Sequence, residues 1–521
     1  MPRPDAFANM SFHLTGQKPS TTAGQPDPET PFRVLVLGDF GGRANRGLRP
    51  VAVDYDNIDR VLAELDVALE LPVAGSTGDR VEIRFGELDD FHPDQIYRRV
   101  ELFQSLRETR QNLLNAETFD EAAKEVGRWT KQRDHHDPVP RDTLNRSKNN
   151  GASAAASGQN DALTHLLTRS PLTQQTKLPQ AASSAAVQAL LKQVVGPHVV
   201  PSASPNQDRL VDAIDTATSQ QMRAVLHDPD FQALEASWRG LDFLIRNLET
   251  GQQLQVYLVD MPKRDLAGEL TSGQELGSTG LYQLLVEGAI GSPSGQPWAV
   301  VVGAYTFDAT QQDANLAGCI ATIASHAGCP FLAQASPSLS GSASFPGPPA
   351  DLNSSLEPEA KAAWEAVRRL PQASYVGLAL PGFLLRLPYG ESSDSIDRFE
   401  FEELEGDPGN GPCLWGNPAF VCAYLLGQEF SQHGWAFTPE SDFDIEDLPA
   451  HTYTQDGESK MTPCAQVWLS DQAAQEISNQ GLMVLQSIRD RDAVRLVRFQ
   501  SIAAPAKNLA GRWITQDTDL Q

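Results

Sequence analysis

The run FRVLVLG at 32–38 constrains this chain most, because Val34, Leu35, Val36 and Leu37 are four consecutive aliphatic residues. Side chains along a strand alternate between the two faces of a sheet, so an unbroken apolar run demands cover on both. LQVYLVDM at 254–261 and WAVVVGAYTF at 298–307 read as further apolar strands. After the second, Asp308 and Asp313 lead into NLAGCIATIASHAGCPF, a helix that buries Leu316, Ile320 and Ile323. Gly328 caps its C-terminus and Pro330 forbids continuation. Strand, helix, strand at this spacing favours parallel pairing with right-handed crossovers. The pattern predicts an α/β fold with mixed, largely parallel sheets flanked by helices.

The best-signalled helix runs from His227 to Leu248, with Asp228 as cap and Pro229 in the first position. Phe231, Leu234, Trp238, Leu241, Ile245 and Leu248 fall on one apolar stripe. Gly240 would cost roughly 1 kcal/mol against Ala in an exposed helix, so it is expected to admit a neighbouring backbone. Beside it, Trp238 offers a large apolar body and Arg239 a planar five-donor head. Nothing in the stretch supplies a nucleophile or base, so its role reads as packing. Upstream, Ile58, Val61, Leu62 and Leu65 mark a helix behind Asp54 and Asp56 as caps. VALEL at 67–71 and VEIRF at 81–85 read as strands, the second wet on one face. DDFHPDQIYRRVELFQSLRETRQNLL reads as one long helix with Pro93 near its start and Ile96, Val100, Phe103 and Leu106 buried. Downstream, RLVDAIDTATSQQMRAVLH places Leu210, Ile214, Ala217 and Val225 on one side. Asn417 and Pro418 open a helix presenting Phe420, Tyr424 and Leu425. Beyond Pro463 come a strand, a capped helix ending at Gly481 and a two-stranded finish.

Chemistry-bearing motifs are few. In GDFGGR, Gly38, Gly41 and Gly42 match neither GxGxxG nor a GxxxxGK[ST] phosphate loop. Asp134, His135, His136 and Asp137 are adjacent loop residues that cannot readily converge on one ion. His326 and Cys329 lack an orienting acid. Glu400, Glu402, Glu403 and Glu405 read as a solvated acidic edge. The chain has 41 Lys plus Arg against 67 Asp plus Glu, net −26, which argues against nucleic acid or an anionic membrane as main partner. Five cysteines without CxxC spacing indicate neither disulfides nor zinc and suit a reducing cytoplasm. No signal-peptide core and no run of about 18 apolar residues is present. No catalytic, metal-binding or cofactor-binding residues are expected.

Two segments carry a family resemblance. LVLGDFGGR, RPVAVDYDNIDRVLAEL and FGELDDFHPDQIYRRVELFQSLRETRQNLL together resemble the small sheath subunit of bacterial type VI secretion systems. SQQMRAVLHDPDF with LEASWRGLDFLI, then WEAVRRLPQASYVGLALPGFLLRLPYG and LWGNPAFVCAYLLGQEFSQHGW, resemble its large subunit. The two are joined here in one chain, with Gly38, Asp39, Phe40 and Gly41 as the family-like loop. The layout expected is a disordered arm at 1–30, a small-subunit-like α/β part at 31–133, a flexible linker with short helices at 134–205, and a large-subunit-like α/β part at 206–521. In the family, the large subunit's N-terminal region carries a short helix recognised by an AAA-type disassembly ATPase; DALTHLLTRSPL at 161–172 and AAVQALLKQVVG at 185–196 are the two candidates for that place, and the alternative reading of each is a linker helix docked on the core. The family's large subunit continues past the strand corresponding to AVRLVRFQSI into an inner-layer region, and this chain is expected to lack it. The resemblance implies a non-enzymatic, cytoplasmic structural protein of a contractile sheath. Its implied partners are other copies of itself, other sheath subunits, the inner tube protein, the baseplate and the ATPase, without membrane insertion. The alternatives are a non-polymerising adaptor and, remotely, a nucleotide-binding α/β enzyme.

Overall fold

The structure is a computed structural model describing residues 26–42, 47–72, 80–131, 191, 194–195, 207–291, 295–341, 357–391, 393–404, 413–439, 441–450, 452–455 and 458–513. The arm at 1–25, the connector at 134–160 with its Asp/His cluster, the 161–172 piece, most of the 185–196 piece and Glu405 lie outside the described residues. The chain divides into two compact units. One comprises Met1–Pro72, Arg80–Arg98 and Met222–Gln521, the other Val73–Asp79 and Arg99–Gln221.

In chain order the strands are β1 (Phe32–Gly38), β2 (Val51–Val53), β3 (Val67–Pro72), β4 (Arg80–Phe85), β5 (Leu254–Asp260), β6 (Val300–Phe307), β7 (Phe331–Ala335), β8 (Val376–Leu380), β9 (Phe383–Leu384), β10 (Trp415–Gly416), β11 (Ser441–Ile445), β12 (Thr452–Gln455), β13 (Glu458–Met461), β14 (Met483–Ser487) and β15 (Val494–Arg498). Nine of them form one sheet in the first unit, in the order β11-β15-β14-β8-β7-β6-β1-β5-β2. The stretch from β14 to β5 is parallel, with antiparallel β15 and β11 beyond one end and antiparallel β2 at the other. β1 lies inside this sheet, Val34 pairing with Val256 of β5 on one side and Val300 of β6 on the other.

That position explains the apolar run, since Val34, Leu35, Val36 and Leu37 are all 0% exposed. Leu35 and Leu37 pack with Val301, Leu316, Ile320 and Trp364, under the helices Gln311–Ala327 and Pro358–Arg368. The helix Pro418–His433 lies against β1, β6, β7 and β8, and the helix Pro229–Asn247 packs on it. Helical cover on both faces is what a fully apolar parallel strand requires. At the start of β1, Phe32 sits 4.9 Å from the Phe430 ring and 5.5 Å from Trp435, whose indole donates to Thr30 O at 2.8 Å.

Local signals place several helix ends. Asp228 accepts from the amides of Asp230 (2.9 Å) and Phe231 (3.3 Å), with Pro229 next in line. Asn417 accepts from Ala419 N at 2.9 Å, and Gly328 takes the left-handed conformation at φ 64° that ends its helix. Three expectations are corrected. Asp54 and Asp56 form a turn with each other, and the helix Ile58–Glu64 begins behind Asn57. The helix expected from Asn315 starts at Gln311 behind Thr310, which accepts from Asp313 N at 3.1 Å, so Asp313 lies inside its first turn while Asp308 precedes it as read. The long helix from Pro93 breaks at Val100, extended at φ −77° and ψ 125°, into Pro93–Arg99 and Glu101–Leu114. The break falls where the chain leaves the first unit; apolar spacing continues across it, so periodicity carries no trace of the change.

β3 and β4 form their own antiparallel hairpin, with Ile83 and Phe85 buried and Glu82 and Arg84 exposed. In the second unit the helices Glu101–Leu114 and Phe119–Lys131 bury Phe103, Leu106, Leu113 and Val126. Arg110 holds Asp215 in a two-pronged pair at 2.6 and 3.0 Å.

Candidate functional site at the seam of the two segments

The GDFGG loop leaves β1 between β5 and β6, and its amides meet a carboxylate of the protein itself. Phe40 N and Gly42 N donate to the two Asp260 carboxylate oxygens at 2.8 and 3.1 Å, and Gly41 N donates to Asp39 at 3.1 Å. Burial pushes the Asp260 carboxyl up to about 6; the two amides pull it down, and the charges of Asp39 and Asp265 add to the rise. Gly41 has φ 68°, and a Cβ on Gly42 would lie 2.4 Å from an Asp260 oxygen. The glycines therefore let the backbone turn and close onto Asp260. A phosphate at this loop would have to displace a carboxylate that already holds the amides.

Phe40 points inward and is 0% exposed. Its ring meets Trp238 edge-on at 5.1 Å, while Trp238 Nε1 donates to its carbonyl at 3.1 Å. Leu234 presses on Gly41, where a Cβ would come within 2.9 Å of Leu234 Cδ1. Phe231, Leu234, Leu241 and Ile245 are buried on the same helix. Gly38 is equally crowded, a Cβ there meeting Phe40 Cε2 at 2.8 Å. Gly240 admits an aromatic ring where a backbone was expected: a Cβ would lie 2.4 Å from Phe420 Cε2.

Arg239 leads to a buried charge cluster. Its Nε donates to Glu235 Oε1 at 2.7 Å and its Nη2 to the Tyr389 hydroxyl at 3.2 Å. Arg386 bridges Glu235 (2.8 and 3.3 Å) and Glu403 (2.8 and 3.1 Å), with its guanidinium 4.2 Å from the Tyr389 ring centroid. Tyr389 N donates to Glu403 at 2.8 Å, and His227 Nε2 stands 3.6 Å from it. Burial alone would raise the Glu403 pKa, but the charge of Arg386 and the surrounding donors hold its carboxyl below the usual range. Burial pushes Tyr389 up to about 12. The expected solvated acidic edge is thus corrected at Glu403, which is 1% exposed, while Glu400 and Glu402 remain exposed. Periodicity could not find Glu403, because its partners lie far away in sequence. Two signals were available: Glu235 follows Leu234 directly beside the apolar stripe, and Arg386 is a lone charge inside FLLRLP.

His326 and Cys329 do not read as a dyad. Cys329 is fully buried with its thiol pushed up to about 12 by burial, and His326 Nδ1 lies 3.5 Å from the Tyr282 hydroxyl. Among the described residues no cluster of three or more His, Cys, Asp or Glu is placed to hold a metal ion, and no helix is long and apolar enough to cross a membrane.

Comparison with known proteins assigns both sides of the seam. Residues 208–503 match the VipB family, described as EvpB/VC_A0108, tail sheath N-terminal domain. The chain belongs to this tail sheath family. Residues 17–126 match a second family, described as type VI secretion system, VipA, VC_A0107 or Hcp2. The chain is therefore a fusion, VipA-like at its N-terminal part and VipB-like at its C-terminal part, and the sheath-family loop and helix meet at Phe40 and Trp238. It is also 31% identical over 308 residues to the type VI secretion system sheath protein TssC1 of Pseudomonas aeruginosa, a match covering 58% of this chain and 62% of that protein.

Proposed function

We propose that this chain is a structural, non-enzymatic subunit of the type VI contractile sheath that forms or joins a helical tube around the inner tube. The observation that carries the reading is the placement of β1: a strand from the VipA-like part is paired on both sides by strands of the VipB-like part. One polypeptide thereby supplies a body to which both sheath families contribute. Copies joined through heterologous contacts generate a helix, and contraction follows if those contacts have two packings of similar free energy. The partners in this reading are further copies, other sheath subunits, the inner tube protein, the baseplate and an AAA-type disassembly ATPase, in the cytoplasm. Support for a role without bond chemistry comes from the Asp260 carboxylate, which accepts the Phe40 and Gly42 amides of the glycine-rich loop on which the nucleotide alternative depends.

The test is electron microscopy of the purified chain with the inner tube protein, alongside a pulldown. Tubes that enclose the inner tube are expected. The absence of both assembly and association would refute the sheath role, and association confined to small oligomers would replace it with the adaptor reading.

A further inference from the structure

A crevice of about 570 Å³ opens where β1, β6 and β7 end, beside the first half of the helix Pro229–Asn247 and the turn into the helix Pro418–His433. All of its lining belongs to the first unit. In open α/β sheets ligands bind outside the carboxyl ends of the strands, where the connections part, and the volume suits a few side chains. Leu414 and Phe420, at 1% and 0% exposure, are the buried apolar part of the lining, and Trp415 stands half-buried beside them. The only charged side chains in the lining are carboxylates, Asp39 after β1 and Asp230 in the first turn of its helix. Both are exposed, so a ligand reaches them. Asp39 accepts from Gly41 N at 3.1 Å, and neither carboxylate has an ion pair among the described residues. The nearby cations are taken, Lys263 by Asp313 at 2.7 Å and Arg239 by Glu235 at 2.7 Å. Gln334 accepts from the Thr306 hydroxyl at 3.2 Å, which leaves its Nε2 without an acceptor among the described residues. Two open carboxylates, a spare amide donor and an apolar base match a cation on an aliphatic stem with a carbonyl close by. A basic residue in a peptide supplies all three, and a small ammonium ion supplies only the charge.

We infer that this crevice receives a peptide segment of an assembly partner that presents a basic side chain beside an apolar one. The cation donates to Asp39 and Asp230, its stem lies along Trp415, the apolar neighbour covers Leu414 and Phe420, and Gln334 Nε2 donates to a peptide carbonyl. With 41 Lys plus Arg against 67 Asp plus Glu, the whole chain attracts basic surfaces, so selectivity at the crevice is measured against that background. The identity of the partner as an assembly component rests on the sheath reading; the chemistry of the crevice does not.

The test uses the unassembled full chain with nitrogen-15 label in tryptophan, the Trp415 indole signal being identified by its loss in Trp415→Phe. N-acetyl-leucyl-lysine methylamide is expected to shift that signal saturably, and its uncharged norleucine analogue to bind about tenfold more weakly, the loss of one charge-assisted contact. Asp39→Asn and Asp230→Asn should each remove most of the preference for lysine. Glu249→Gln combined with Glu359→Gln removes two exposed charges elsewhere and should leave that preference unchanged. Equal binding of the two peptides, no shift by either, or the same loss in the Glu249 and Glu359 double variant overturns the inference. Butylamine binding as tightly as the lysine peptide also overturns it, in favour of a site for small amines. Since no tube is involved, lysine-selective binding by a chain that fails to assemble keeps the crevice and removes only the sheath reading.

Discussion

The indole Nε1 of Trp238 donates to the carbonyl oxygen of Phe40 at 3.1 Å, joining residues 198 positions apart. It ties the helix of the VipB-like part to the loop of the VipA-like part in a fully buried site. Trp238→Phe keeps a ring against Phe40 but leaves that carbonyl without its donor, so it should cost about 1–3 kcal/mol. Trp238→Ala adds a cavity and should cost about 3–5 kcal/mol. Chemical denaturation of the two variants checks the order; equal stability of Trp238→Phe and the parent would show that the bond contributes nothing.

Gly240→Ala pits helix propensity against space. The substitution gains roughly 1 kcal/mol in an exposed helix. Here the new methyl would lie 2.4 Å from Phe420, and overpacking of this kind costs typically 1–3 kcal/mol. A net loss of stability is expected, relieved by Phe420→Leu in the double variant. Thermal melting of the four proteins in the cycle decides it.

Removing Arg386 should be among the most damaging single changes in the first unit, because Glu235 and Glu403 would be left buried without their shared cation. Arg386→Gln is expected to cost on the order of 3–5 kcal/mol. The Glu403 carboxyl is held below its ordinary value, so its contribution is present above the unfolded pKa near ~4.3 and is lost as pH falls through the folded value. Glu403→Gln should flatten that acid limb of the stability profile; an unchanged limb would refute the assignment.

Asp260 should show the opposite sign. Its folded pKa is about 6, above the unfolded value near ~3.9. Its contribution is therefore full below the unfolded pKa and falls as pH rises through about 6. Relative to Asp260→Asn, the parent should lose stability between roughly pH 4 and pH 6.5, read as the difference in melting temperature across that window. A flat difference would mean that Asp260 titrates normally.

Millimolar phosphate or nucleotide should leave the melting temperature unchanged, since the amides of Phe40 and Gly42 already hold the Asp260 carboxylate. A ligand that binds the folded state raises the melting point by mass action, so a concentration-dependent rise would restore the nucleotide reading.

The sequence by itself determined what depends on neighbours a few residues apart. The unbroken apolar run of β1 called for cover on both faces, and Asp228 with Pro229, Asn417 with Pro418 and Gly328 marked helix ends through contacts within one turn. Only the tertiary structure decided which strands flank β1, that Glu403 is buried with Arg386, that Asp260 closes the glycine loop, and that the helix from Pro93 breaks at Val100. Each of these joins residues distant in the chain or depends on where a packing partner changes. Hydrophobic period and capping chemistry reach about one helical turn and carry no record of which distant surface arrives, whereas strand order and buried pairing are set by the free energy of the whole packed body.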